Sequence, residues 1–191
     1  MILIDEDTQI DFMVPAGALY VPRAEQLIPA LARIFEGVRE RGIPVISSVD
    51  AHSENDPEFA GWPAHCVAGT LGQQKIPVTL FRDRATVPNK PGVELPKGVP
   101  QVIVEKQTLD VFSNPNFLRL LDLYPSEECV VVGVATDYCV RYAIEGLLNA
   151  GRKVKVVTDA IRAIDDAAGQ KLLADWAARG ATLTTSTVLW G

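Results

Sequence analysis

Both histidines of the chain fall in one short stretch that also carries an aspartate, Asp50-Ala51-His52 followed by Trp62-Pro63-Ala64-His65. With only two histidines in 191 residues, their convergence beside a carboxylate at the end of a predicted strand points to a divalent metal site. Imidazole nitrogen and carboxylate oxygen are the donors of catalytic centres that keep coordination positions open, and they suit zinc, iron or manganese. Glu58, between the histidines, is a candidate fourth ligand, although a solvated loop glutamate explains it as well. The spacing matches neither a zinc finger nor the helical metalloprotease motif.

Three further residues have chemistry at matching positions. Cys139 follows the apolar run Cys129–Ala135, with Thr136 or Asp137 placed to cap a helix, so its thiol is expected in the first helical turn. Free amides and the helix dipole favour thiolate there, and the same amides can hold an oxyanion. A free cysteine taken alone reads more often as a small buried hydrophobe. Cys129 fits that description, and Cys66 is assigned to packing. Asp7 ends the first predicted strand, where a shielded carboxylate can accept a thiol proton. Lys106 closes the strand Val102–Glu105, and beside Cys139 its ammonium would stabilise both thiolate and oxyanion. Individually, a loop-capping aspartate and a surface lysine are the commoner cases.

The elements that must position these groups alternate. Strands are predicted at Ile2–Ile4, Pro44–Val49, Val102–Glu105, Cys129–Gly133, Val154–Val157 and Ala181–Thr184, with one more near Val78–Phe81. Helices are predicted over residues 23–41, closed by Gly42, and at Asn116–Tyr124, Tyr138–Asn149 and Ala167–Arg179. The strands are apolar on both faces, so the pattern implies an α/β three-layer sandwich: a mostly parallel, Rossmann-like sheet of about six strands with helices on both faces. Asp7, Asp50, His52, Lys106 and Cys139 all lie just after strands, which places them on one rim, where such sheets bind ligands. Residues 1–191 read as a single domain with a long Pro- and Gly-rich excursion at about 50–100, a length that is usually functional.

Bulk composition narrows the function classes. Hydrophobic residues make up 48%, charged residues 22%, and the net charge is −6. That balance, with no basic block, argues against nucleic-acid or membrane-surface partners. No apolar run approaches the roughly 20 residues of a membrane span. The acidic opening Met1–Asp7 reads as a strand and not as a secretory leader, and three cysteines form no disulfide framework, so a reducing cytoplasm is expected. The apolar tail Val188-Leu189-Trp190 either meets a second subunit, giving a homo-oligomer, or covers its own sheet.

Three segments resemble the isochorismatase-like cysteine hydrolases, and among them the nicotinamidases. Asp7-Thr8-Gln9-Ile10-Asp11-Phe12 is similar to their D-x-Q-x-D-F opening, and Trp62-Pro63-Ala64-His65-Cys66-Val67-Ala68-Gly69-Thr70 to their W-P-x-H-C-V-x-G-T segment. Gly133-Val134-Ala135-Thr136-Asp137-Tyr138-Cys139-Val140 is similar to their nucleophile motif. The resemblance implies a triad of Asp7, Lys106 and Cys139, and a metal, usually zinc, on Asp50, His52 and His65. It also implies an oxyanion hole of the Ala135 and Cys139 amides with a cis peptide before Ala135, and aromatic walls from Phe12 and Trp62. The implied reaction is hydrolysis of nicotinamide to nicotinate and ammonia through a Cys139 thioester. Departures after Phe12, at Glu58 (where some relatives have a further histidine) and after Lys106 keep other small amides or ureido and carbamoyl compounds open as substrates. A catalytically silent binding domain of the same fold is the alternative of another class.

Overall fold

The computed structural model describes residues 1–124 and 128–190. Its strands are β1 (Ile2–Glu6), β2 (Val45–Asp50), β3 (Arg84–Val87), β4 (Gln101–Lys106), β5 (Glu128–Val134), β6 (Lys153–Arg162) and β7 (Thr182–Thr184). Its helices are α1 (Ile10–Met13), α2 (Ile28–Arg41), α3 (Phe117–Asp122), α4 (Cys139–Asn149) and α5 (Asp166–Ala178). The seven strands form one sheet in the order β3-β4-β2-β1-β5-β6-β7, and every pairing is parallel.

Burial on both faces explains the Val- and Ile-rich strands. Leu3, Val45, Val130 and Val132 face a layer holding α2, whose Leu31, Ile34, Phe35 and Val38 are fully buried. Ile2, Ile4, Ile46 and Val131 face the opposite layer, with Leu120 and Leu121 of α3, Ile144 and Leu147 of α4 and Trp176 of α5. Two apolar cores thus sandwich the central strands and fix their carboxyl ends along one edge.

Three expectations need correction. Val78–Phe81 is not a strand: Pro77, which cannot donate to a ladder, opens a 3-10 turn at Pro77–Thr79, and the Phe81 amide goes to the Gln101 side chain. The strand of this region is β3, an exposed edge whose polar sequence hid it, and it is the seventh strand of the sheet. The helix expected from residue 23 begins as a 3-10 turn at Ala24–Leu27 and becomes α-helical at Ile28, with Pro29 in its first turn. Gly42 does close it, at φ 62°, its amide donating to carbonyls of Val38 and Arg39. Finally, neither Thr136 nor Asp137 caps α4. Tyr138 holds the N-cap position, and the Asp137 carboxylate instead accepts the Ile164 and Asp165 amides at 3.0 and 2.9 Å.

The C-terminal tail lies on its own chain. Leu189 joins the core under α2, and the Trp190 ring stacks under the Arg41 guanidinium at 4.9 Å.

Candidate active site

Four strand ends bring the chemical groups together. Asp7 follows β1, Asp50 ends β2, Lys106 ends β4, and Cys139 opens α4 a few residues after β5. Parallel strands with one common direction put these ends on a single rim. Asp7 has φ 47°, a left-handed conformation that aspartate tolerates better than branched residues. Its amide and one carboxylate oxygen are both held by Ser48: the amide N–H donates to Oγ at 3.1 Å, and Oδ1 lies 2.6 Å from Oγ.

Lys106 joins the cluster. Its Nζ, fully buried, lies 2.8 Å from Asp7 Oδ2 and 3.6 Å from Cys139 Sγ, and it also contacts Asp50 Oδ1. The Asp7 Oδ2 contact is an ion pair outside hydrogen-bond geometry, which leaves that oxygen able to accept a proton. Burial disfavours the ammonium, yet the Asp50 and Asp7 carboxylates around it hold the lysine charged, well above its ordinary pKa. For Asp50 burial again opposes ionisation, and Lys106 with the two imidazoles overrides it, holding the carboxyl far below its usual range. Cys139 departs from expectation. Burial is the largest influence on its thiol, and with Asp7 and Asp50 nearby it outweighs Lys106, so the pKa is pushed well above the free value. The resting group is a thiol that needs a base, not a thiolate made by the helix end.

The metal-type residues converge as well. Asp50 Oδ2 is 3.8 Å from His52 Nε2 and 3.7 Å from His65 Nε2, and Glu58 Oε2 is 3.8 Å from His52 Nε2. The other ring nitrogens face outward to supports: His52 Nδ1 lies 3.1 Å from Asp56, and His65 Nδ1 lies 2.7 Å from the Pro63 carbonyl. Ligating histidines are oriented in this way, with one nitrogen supported so that the other faces the ion. Among the described residues neither ring nitrogen of His52 has a hydrogen-bond partner, although Nδ1 lies in ion-pair contact with Asp56, so the buried Nε2 is free to meet a cation. Asp50, His52 and His65 therefore fit a divalent ion, with Glu58 beside them. A second carboxylate-rich grouping, His52 with Asp56 and Glu58, shares the same buried imidazole, and its two carboxylates are only partly covered. Burial and then the Asp50 charge raise the Glu58 pKa, which weakens it as an anionic fourth ligand in the absence of an ion.

Between the two clusters opens a pocket of about 410 Å³, including its mouth, lined by Phe12, Asp50, Trp62, His65, Ala135 and Cys139 with several aliphatic residues. Phe12 packs against His65 with ring centres 5.4 Å apart, and Trp62 meets Tyr138 edge-on at 5.4 Å. The Val134–Ala135 peptide is cis. Among the described residues, no backbone hydrogen bond runs from the amides of Ala135 or Cys139, and both residues border the pocket.

Several residues here were not singled out from the sequence. Leu19, Val21, Leu109, Tyr138 and Ile164 also line the pocket. Leu109 is the contribution of the segment after Lys106 to it, while Phe112 packs on Phe117 and Asp110 caps its own 3-10 turn. Gln9 brackets the Asp50 backbone, receiving its amide at 2.8 Å and donating to its carbonyl at 2.9 Å. Asp11 ties two loops by accepting the Ala18 and Cys66 amides at 2.9 and 2.7 Å. Spacing could not reveal such supports, because their partners come from distant strands.

With this geometry in view, comparison with known proteins is decisive about ancestry. The isochorismatase domain model matches residues 1–188. The chain belongs to the isochorismatase family. Within that family it is 30% identical to a nicotinamidase of Escherichia coli, over 94% of this chain and 92% of that one. Among solved structures it is similar to a pyrazinamidase of Pyrococcus horikoshii in complex with zinc, with 27% identity and a TM-score of 0.79 over 96% of this chain and 97% of that one. It is also similar to an N-carbamoylsarcosine amidase from Thermoplasma acidophilum, with 25% identity and a TM-score of 0.78 over 99% and 98%.

Proposed function

We propose that this isochorismatase-family chain is a metal-containing cysteine amidohydrolase that converts nicotinamide to nicotinate and ammonia. One observation carries the reading: a buried lysine touches both the carboxylate of Asp7, at 2.8 Å, and the sulfur of Cys139, at 3.6 Å, on the floor of an aromatic-lined pocket. A binding domain gains nothing from burying three such groups in contact, since buried charge is costly to maintain.

Asp7 Oδ2 takes the proton from Cys139 Sγ, and Lys106 stabilises the resulting thiolate. Sulfur attacks the amide carbon while the carbonyl π pair moves onto oxygen, where the Ala135 and Cys139 amides hold it. Asp7 returns the proton to the amide nitrogen, the C–N bond breaks and ammonia leaves. Water then attacks the thioester with Asp7 as base, releasing the acid and restoring the thiol. Phe12 and Trp62 sandwich the flat ring. Asp50, His52 and His65, with Glu58 as candidate fourth ligand, would hold the divalent ion, zinc before iron or manganese. When bound, that ion supplies a Lewis-acid anchor for the pyridine nitrogen, directly or through a water. The excursion at about 50–100 of the single domain then serves as the metal-binding and ring-binding loop.

Among the described residues no helix is long and apolar enough to cross a membrane. We place the activity in the cytoplasm, in pyridine-nucleotide salvage, with a free small amide as its partner. Ammonia release from nicotinamide by the wild type and its loss in Cys139→Ala test the assignment. Turnover confined to carbamoyl or other amides would move the substrate to the class of the N-carbamoylsarcosine amidase to which the fold is similar.

A further inference from the structure

Next to Asp7, β1 buries a second carboxyl group that the reaction above does not use. Glu6 is fully inaccessible, and its Oε2 lies 2.7 Å from the same Ser48 hydroxyl that lies 2.6 Å from Asp7 Oδ1. A hydroxyl has one proton to donate and two lone pairs to accept with. Ser48 Oγ already accepts from the Asp7 amide at 3.1 Å. It can donate to only one of the two carboxyl groups, so the other contact needs a proton on the carboxyl itself. Lys106 decides which. Its ammonium lies 2.8 Å from Asp7 Oδ2 and favours the charged form there, so Asp7 is the acceptor and Glu6 the donor.

We propose that Glu6 is a positioning residue, held as the neutral acid, which donates to Ser48 so that the Ser48 proton is committed to Asp7 Oδ1 and Asp7 Oδ2 is left facing the thiol. This deepens the amidohydrolase reading and rests on it. The surroundings agree. Burial first, and then the charge of Asp7, push the Glu6 pKa up to about 8. The charged groups acting on it are Asp5 on its own strand, Asp7 just after it and Lys106 on β4, while β2 offers the neutral Ser48 and β5 places Gly133 opposite it. Among the described residues Glu6 Oε1 has no hydrogen-bond partner, a lighter cost for a neutral carbonyl oxygen than for a carboxylate. Ionising Glu6 would remove the donor to Ser48 and set a second negative charge against Asp7, so activity should fall on the alkaline side.

The test uses the full-length, metal-loaded protein and two readouts. Infrared difference spectra of wild type against Glu6→Gln at neutral pH should show a carboxylic-acid carbonyl band that the variant lacks and that Cys139→Ala keeps. In Ser48→Ala that band should persist at a shifted frequency, because the acid has lost its acceptor. In kinetics, Glu6→Gln keeps an N–H donor to Ser48 and cannot ionise, so its kcat/KM at neutral pH stays within about threefold of wild type and its alkaline limb moves up by at least about one pH unit. Glu6→Val, without a donor, should lose about tenfold, the scale of one hydrogen bond. The proposal is overturned if no acid band disappears in Glu6→Gln, or if the two alkaline limbs coincide. Failure to release ammonia from nicotinamide would count against the substrate alone, with the infrared bands then deciding the state of Glu6.

Discussion

Replacing Lys106 by methionine keeps the buried aliphatic stem and removes a charge that both Asp7 and Asp50 contact. Both carboxylates are buried, so the change leaves two uncompensated negative charges close together. Breaking a buried pair by removing one partner costs about 3–5 kcal/mol. Each kcal/mol shifts the melting temperature of a domain this size by roughly 2–4 °C, so a fall of about 10 °C is expected. The measurement is urea and thermal unfolding of wild type and Lys106→Met in the presence of a chelator, which removes metal binding from the comparison. The pH dependence has a definite sign. Asp50 is depressed in the fold, so its contribution is present above its ordinary value near 3.8 and is lost as pH falls through the depressed one. Without Lys106 the Asp50 carboxyl loses the main charge that depresses it and protonates at higher pH, so the gap between variant and wild type should be widest at neutral pH and narrow toward pH 4. A gap under about 1 kcal/mol at pH 7, or one that grows on acidification, would refute the picture of Lys106 as the counter-ion on which the site is built.

Other expectations follow from the same geometry. Cys139→Ala should abolish turnover, by a factor of about 10⁴ or more, while melting within a few degrees of wild type; substantial residual ammonia release would remove it as nucleophile. His52→Ala should lose bound metal, measured by elemental analysis after dialysis, because one donor and its Asp56-supported orientation disappear together; an unchanged metal content would contradict the ligand set. Gly133→Ala should cost about 3 kcal/mol or more, since φ is 119° and an added Cβ would lie 1.9 Å from the Glu6 carbonyl oxygen; a near-native melting curve would show that this crossing of β1 and β5 can relax. Glu6 has a pKa raised from 4.5 to about 8, so its contribution to stability is full below about pH 4.5 and declines as pH rises through 8, by at most about 1.4 kcal/mol per pH unit. Glu6→Gln should therefore flatten the stability profile in that window, and an unaltered slope would assign it to other groups.

The sequence made the strand ends legible because chemistry and periodicity agreed there. Apolar runs buried on two faces demand a parallel sheet, and a parallel sheet puts Asp7, Asp50, Lys106 and Cys139 on one rim whatever the loops do. What escaped was written in three dimensions only. β3 is a polar edge with no hydrophobic signature, and Pro77 diverted a neighbouring apolar run into a turn. The thiol was expected to ionise from its place at a helix start, but full burial beside two carboxylates reverses the sign. The Glu6 signal was visible in principle: a glutamate inside a strand whose every residue is buried is a local conflict, and such conflicts concentrate at functional sites.

Asp50 shows why the two halves of the site are not separable. One of its oxygens contacts Lys106 and the other lies 3.7–3.8 Å from both histidines, while Gln9 fixes its backbone on both sides. A cation gathered by the histidines would compete with Lys106 for the same carboxylate charge. Drawing that charge toward the ion weakens its hold on the ammonium, which then presents more of its field to Asp7 and to the Cys139 sulfur. Metal loading should therefore lower the pKa of the thiol. Iodoacetamide labelling of Cys139 across pH, with and without zinc and in the absence of substrate, measures this directly. Superimposable rate profiles would mean that Asp50 insulates the two centres, whereas an earlier rise in the zinc form would mean that it couples them.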